Sequence, residues 1–170
     1  MSDAVEVLLP PNYERDGGKR FRVVYVLPVA GHGGEHGNAL QVIRELGLHE
    51  RLQIICVQPR FQRSAMPWFG NHSSDPQMRY VDHMIRGVLP AVESCYRTVL
   101  GREGRLLMGF SKSGWGAVSL LLGNEEVFDA AASFDAPLMF TGEQFGAWGT
   151  DATYGTPEAM NAQSPIALLK

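Results

Sequence analysis

The residues Gly109-Phe110-Ser111-Lys112-Ser113-Gly114 set a serine between small residues placed two before and two after it. This spacing suits a nucleophile elbow, where a strand turns sharply into a helix and holds the serine hydroxyl exposed on a strained backbone. The strand and the helix approach closely there, so the positions occupied by Gly109 and Ser113 must both be small. Ser113 is larger than the usual glycine but still small. The chemistry would be nucleophilic attack on an acyl carbon, with the Lys112 backbone N–H at the helix start donating to the oxyanion. A chance match in a glycine-rich chain is the plain alternative. The context argues against it: apolar Arg105-Leu106-Leu107-Met108 precedes, and a helix of small and apolar residues, Ser113 to Leu122, follows. A phosphate-binding loop fails, because Phe110-Ser111 stands where Lys-Ser/Thr is needed.

A serine of this kind needs a proton acceptor, and all five histidines, His32, His36, His49, His72 and His83, precede it. His32-Gly33-Gly34-Glu35-His36 matches a zinc-peptidase pattern that works only on a helix. Two adjacent glycines each cost about 1 kcal/mol there, so no metal is expected.

The elements that must position Ser111 are legible from apolar patterning. Val5 to Leu9, Phe21 to Leu27, Leu52 to Val57, Arg105 to Met108 and Ala130 to Phe134 read as strands. Asn38 to Leu48 has helical spacing. Pro76 suits a helix start, with Met78, Val81, Ile85 and Leu89 on one face. The methionines Met78, Met84, Met108 and Met139 read as core filling. Strands alternating with helices predict an α/β three-layer sandwich with a mostly parallel central sheet. Ala30 to Gly37 and Gln58 to Asp75 read as loops. Trp68, Phe69 and His72, with Phe61, either line a substrate pocket or pack the long loop onto the protein. Phe140, Phe145 and Trp148 pose the same choice.

The formal net charge is −3 over 170 residues, without blocks of like charge, which argues against nucleic acid or a membrane surface as partners. The acidic start has no apolar run of signal length. Two cysteines, Cys56 and Cys95, suggest neither a disulfide framework nor a metal site. A cytoplasmic protein without a cofactor is the expectation.

Gly109 to Ala117 (GFSKSGWGA), the strand end Tyr25-Val26-Leu27-Pro28 and the segment Leu8-Leu9-Pro10-Pro11-Asn12-Tyr13 resemble the α/β-hydrolases of the esterase D type. That group is similar to the feruloyl esterases. The resemblance covers about Val5 to Lys170. It implies hydrolysis of a small-molecule carboxylic ester, with Ser111 as nucleophile and the Lys112 N–H as one oxyanion donor. The second donor would come from the loop after Leu27, at Ala30, with Val29 and Gly31 as neighbouring choices. Family order is serine, acid, histidine. Asp135 is then the nearest acid candidate, with Asp151 weaker, and no histidine follows. His32 would touch substrate or solvent in the loop bordering the oxyanion site.

Ser164-Pro165 opens a helix that is about one turn long when the chain ends at Lys170. The expectation is a partial hydrolase domain over residues 1–170, C-terminally truncated and lacking the last strands of the sheet. Its open edge at Ala130 to Phe134 would favour self-association. The alternative function is a degenerate hydrolase-fold protein that binds a ligand or a partner without turnover.

Overall fold

Side chains in the central strands alternate between two apolar faces, and that alternation sets the layers. The computed structural model describes residues 5–15, 17–29, 38–61 and 68–169. Its strands are β1 (Val5–Leu8), β2 (Val23–Val26), β3 (Ile55–Pro59), β4 (Arg105–Phe110) and β5 (Ala130–Phe134). They form one sheet of order β1-β3-β2-β4-β5. β1 runs antiparallel to β3, and every other pair is parallel.

On one face Val23, Tyr25, Ile55, Val57 and Leu107 form a buried cluster with Val88, Leu89, Val92, Ala117 and Leu120. Those partners belong to a helix over residues 80–95 and to α5 (Lys112–Gly123). On the opposite face Leu8, Val26 and Cys56 meet Leu40 and Ile43 of α1 (Ala39–Glu45). The three-layer α/β arrangement expected from the sequence is therefore present.

Two helices differ from expectation in where they begin or end. Asn38 caps α1 as its type suggests, accepting from the Gln41 N–H at 3.2 Å. The helix stops sooner than residue 48 because Gly47 adopts a left-handed φ of 62°, after which α2 (Leu48–Leu52) begins. Leu52 is thus helical, and β3 starts at Ile55.

The helix over residues 80–95 starts at Tyr80, later than Pro76 suggested. Its first amides are capped from a distance. Asn71 Oδ1 accepts from the N–H groups of Val81 at 3.1 Å and Asp82 at 3.3 Å. The helix comprises α3 (Tyr80–His83), a widened π-helical turn (Met84–Val88) and α4 (Leu89–Cys95). Pro90, which has no N–H and crowds the carbonyl four residues earlier, is the second residue of α4, just past that turn.

After β5 come α6 (Thr150–Tyr154), α7 (Pro157–Ala162) and α8 (Pro165–Leu168). Among the described residues β5 is a sheet edge, and Phe134 at its end is half exposed. Beside it an apolar trough of about 280 Å³ opens over Ile43, Leu52, Leu106, Met108 and Ala130. Among the described residues no helix is long and apolar enough to cross a membrane.

The two thiols sit in opposite environments. Cys56 is buried in β3, and burial pushes its thiol up to about 11, whereas Cys95 is exposed. Because the thiolate is the reactive form, a disulfide reagent at pH 8 should modify one cysteine in the native protein and two after denaturation. Rapid modification of both in the native protein would contradict this packing.

Candidate active site

Ser111 lies where β4 runs into α5, with φ 54° and ψ −127°. These angles fall close to the first central position of a type II′ turn, a conformation dominated by glycine. A serine persists there because its surroundings hold the backbone. Its N–H donates to the Phe134 carbonyl of β5, and its carbonyl accepts from the Trp115 N–H, both at 3.1 Å. The hydroxyl makes no side-chain cap to α5.

The close approach around the serine has two devices. A Cβ at Gly109 would stand 2.1 Å from the Ser113 carbonyl oxygen, so the strand can pass the helix only with glycine there. Ser113 then closes the turn. Its buried hydroxyl donates to the Phe110 carbonyl at 2.8 Å and accepts from the Phe110 N–H at 3.0 Å. Size alone suggested a tolerated substitute for glycine. The geometry shows a side chain that ties the turn together.

Lys112 is the first residue of α5, so its backbone N–H belongs to the helix's free N-terminal amides. Its side chain is only 4% exposed, and the ammonium meets no partner among the described residues. Burial pushes this amine down to about 8. Sequence reasoning used the Lys112 amide and gave its side chain no part; the one available signal was a lysine heading a helix of small and apolar residues.

Asp135 follows Phe134 directly, at an exposed left-handed position with φ 50°. Because the Phe134 carbonyl bonds the Ser111 amide, Asp135 lies beside the elbow. Ala30, the expected second oxyanion donor, lies outside the described residues, as do its neighbour Gly31, His32, His36 and the rest of the zinc-like pattern. Val29, the third choice for that donor, is described but carries no further sign of the role. Asp151 sits in the first turn of α6.

His72 supports a turn: its Nδ1 accepts from the N–H groups of Ser74 at 3.1 Å and Asp75 at 2.9 Å. His49 is buried in α2, and His83 packs edge-on to Phe61. Among the described residues no histidine hydrogen bonds to the Ser111 hydroxyl.

Trp68 has no exposed surface. It meets Trp115 of α5 edge-to-face at 5.6 Å, stacks on Phe140 at 6.0 Å and donates its indole N–H to the Trp148 carbonyl. Trp115 in turn donates to the Phe140 carbonyl at 3.2 Å. Gly116 lets Phe69 press against α5, since a Cβ there would come 2.3 Å from the phenyl ring. This aromatic cluster clamps both long segments onto the helix that carries the elbow. Trp148, by contrast, is mostly exposed and stacks on Phe140 at 5.2 Å.

Residues 3–166 match the model of a family described as "Putative esterase". The chain belongs to that family. It is 30% identical over 139 residues to Esterase MT1326 of Mycobacterium tuberculosis (strain CDC 1551 / Oshkosh), covering 78% of this chain and 29% of the relative. An S-formylglutathione hydrolase from Agrobacterium tumefaciens is similar in structure, with a TM-score of 0.76 and 16% identity over 96% of this chain and 64% of that one. So is FphF, a fluorophosphonate-binding serine hydrolase of Staphylococcus aureus, with a TM-score of 0.72 and 15% identity. That match covers 97% of this chain and 65% of FphF. The chain thus spans less than a third of the curated esterase and just under two thirds of these solved structures. The fold is that of the α/β-hydrolase esterases.

The Ser113 hydroxyl yields a direct test of the elbow. Ser113→Ala removes two hydrogen bonds inside a buried turn and should lower unfolding stability by about 1–3 kcal/mol. Urea denaturation reads the loss. A change within about 0.5 kcal/mol, the usual range for a surface site, would show that the hydroxyl does not hold the turn.

Proposed function

We propose that this esterase-family chain carries the nucleophile for carboxylic ester hydrolysis, with Ser111 forming the acyl-enzyme. The observation that supports it most is the Ser111 backbone, held at φ 54° and ψ −127° with a hydroxyl uncommitted to the helix cap. In this reading Oγ attacks the ester carbonyl and a bond forms between Oγ and the acyl carbon. The Lys112 N–H, strengthened by the α5 dipole, donates to the resulting oxyanion. Collapse of that adduct breaks the acyl carbon–alkoxy bond, the proton given up by Oγ leaving on the alcohol, and water then cleaves the acyl-enzyme to release the acid and restore the Ser111 hydroxyl. Ala30 is the proposed second donor, Asp135 the proposed acid, and His32, Trp68 and His72 the proposed pocket residues. Trp68 would act by shaping the wall from inside, and His72 by fixing the turn at residues 72–75.

A second reading has its own support. No histidine of this chain follows Ser111, and the family order ends in one. A hydrolase fold lacking its base binds without turning over, and β5, a sheet edge among the described residues, offers with its apolar trough a surface for self-association or for a partner.

A fluorophosphonate probe separates the two. Active Ser111 should give a covalent adduct on the peptide containing residues 109–114, abolished in Ser111→Ala. Folded protein that stays unlabelled over hours, at probe concentrations that saturate a known serine hydrolase, would sink the catalytic reading and favour binding. Labelling elsewhere in the chain would also sink it.

A further inference from the structure

Among the described residues the parallel pair β4–β5 is covered on one face and bare on the other. α5 covers the first face, where its Ala117 and Leu120 pack in one cluster with Leu107 and Ala131. On the second face the register sets Leu106 beside Ala130, Met108 beside Ala132 and Phe110 beside Phe134. Ala130 and Ala132 are exposed there, and Phe134 is 51% exposed. The helix on that side, α1, packs on Leu8, Val26 and Cys56 of β1, β2 and β3 and leaves β5 uncovered. Parallel strands occur almost only with both faces covered. The bare face is the apolar trough of about 280 Å³, and every side chain lining it is aliphatic or sulfur-bearing. A small ligand with a polar head finds no orienting group in such a lining, whereas an apolar helix needs none. The alanines of β5 also let a helix approach closely.

Beside the trough stands a ridge that matches it. Leu46 at the end of α1 is 60% exposed, Leu52 at the end of α2 is 63% exposed, and Val42 of α1 is 50% exposed. Large apolar side chains exposed together mark an interaction surface. Ile43 and Leu52 also line the trough, so ridge and trough share a border. A two-fold axis along that border lays α1–α2 of each copy in the trough of the other, and one symmetric contact fills both. The exposed charges on these two helices are Arg44, Glu45, Glu50 and Arg51, two of each sign. The ridge therefore meets its own copy without net repulsion, and opposite charges can pair across the axis.

We propose that this face is a homodimer interface, in which a second copy of the chain lays its Val42, Leu46 and Leu52 ridge over the trough floored by Met108, Ala130 and Ala132. The second copy's helices become the covering layer on β4 and β5, and the assembly closes at two. Pairing of two β5 edges would instead extend the sheet and leave both troughs bare. The dimer stands whichever reading of Ser111 holds, and probe labelling of that serine does not bear on it.

Sedimentation velocity of the full chain across the micromolar range tests the assembly. The mass should reach twice the chain's 18.7 kDa and rise no further. Leu46→Glu, at an exposed position, should leave the circular dichroism spectrum unchanged and raise the dimer dissociation constant by about tenfold or more. A monomer throughout, a mass that keeps growing with concentration, or a dimer indifferent to Leu46→Glu would each overturn the proposal. A monomer carrying a co-purified lipid in native mass spectrometry would assign the trough to that lipid and overturn it too. Cross-linking reads the geometry, in a Cys95→Ser background that removes the exposed thiol. A short bismaleimide should join Leu46→Cys on one copy to Ala132→Cys on the other when the two variants are mixed. Ala132→Cys alone should stay unlinked, because the two-fold axis holds the two trough floors apart. Failure of the mixed link would overturn the proposal, and Ala132→Cys linked to itself would replace it with β5 edge pairing.

Discussion

Contact between the end of β4 and the start of α5 is the constraint on which the rest depends. Gly109 and the Ser113 carbonyl are so close that no Cβ fits between them. That closeness forces the one residue at the apex into a glycine-like conformation, and the residue there is Ser111. Strain of this kind persists only where its surroundings over-determine it. Here the Ser113 hydroxyl, the Phe134 carbonyl and the first turn of α5 each hold part of the backbone. The sheet supplies the β5 carbonyl, and the aromatic cluster of Trp68, Trp115 and Phe140 keeps α5 seated.

The elements nearest the serine were the most legible. A short apolar strand, a motif with small flanks and a helix of small residues agree with one another, and local agreement across levels marks a sequence that specifies its structure. The start of α1 near Asn38 was legible for the same reason, since its apolar spacing is local. Features carried by distant partners were not. Asn71 caps a helix ten positions away, so Pro76 looked like the better start. Helical spacing ran on to residue 48, whereas the left-handed φ of Gly47 ends α1 sooner and lets α2 take up Leu52. The pairing of Trp68 with Trp115 depends on tertiary packing that no spacing rule reports.

At the site the same division holds. Ser111 and the Lys112 amide follow from the motif, because a backbone turn determines both. The Lys112 side chain was silent in the sequence, since burial and the lack of a counter-charge are properties of the surroundings. Ser113 was legible as small and illegible as a staple, because two hydrogen bonds to one residue require the turn to exist first. The placement of Asp135 beside the elbow comes from β4 and β5 lying side by side in parallel. The geometry places Ser111 at the turn from β4 into α5, and the chain's histidines all precede it.

The central claim is that the fold holds Ser111 in a conformation costly to any residue with a Cβ. Comparing the unfolding free energies of Ser111→Gly and Ser111→Ala measures this directly, since both remove the hydroxyl. Relief of strain is worth about 1–3 kcal/mol. It is opposed by the extra chain entropy of glycine, roughly 0.5–1 kcal/mol. Ser111→Gly should therefore be the more stable of the two, by about 1 kcal/mol in denaturant unfolding. An alanine variant as stable as the glycine variant, or more so, would contradict the account.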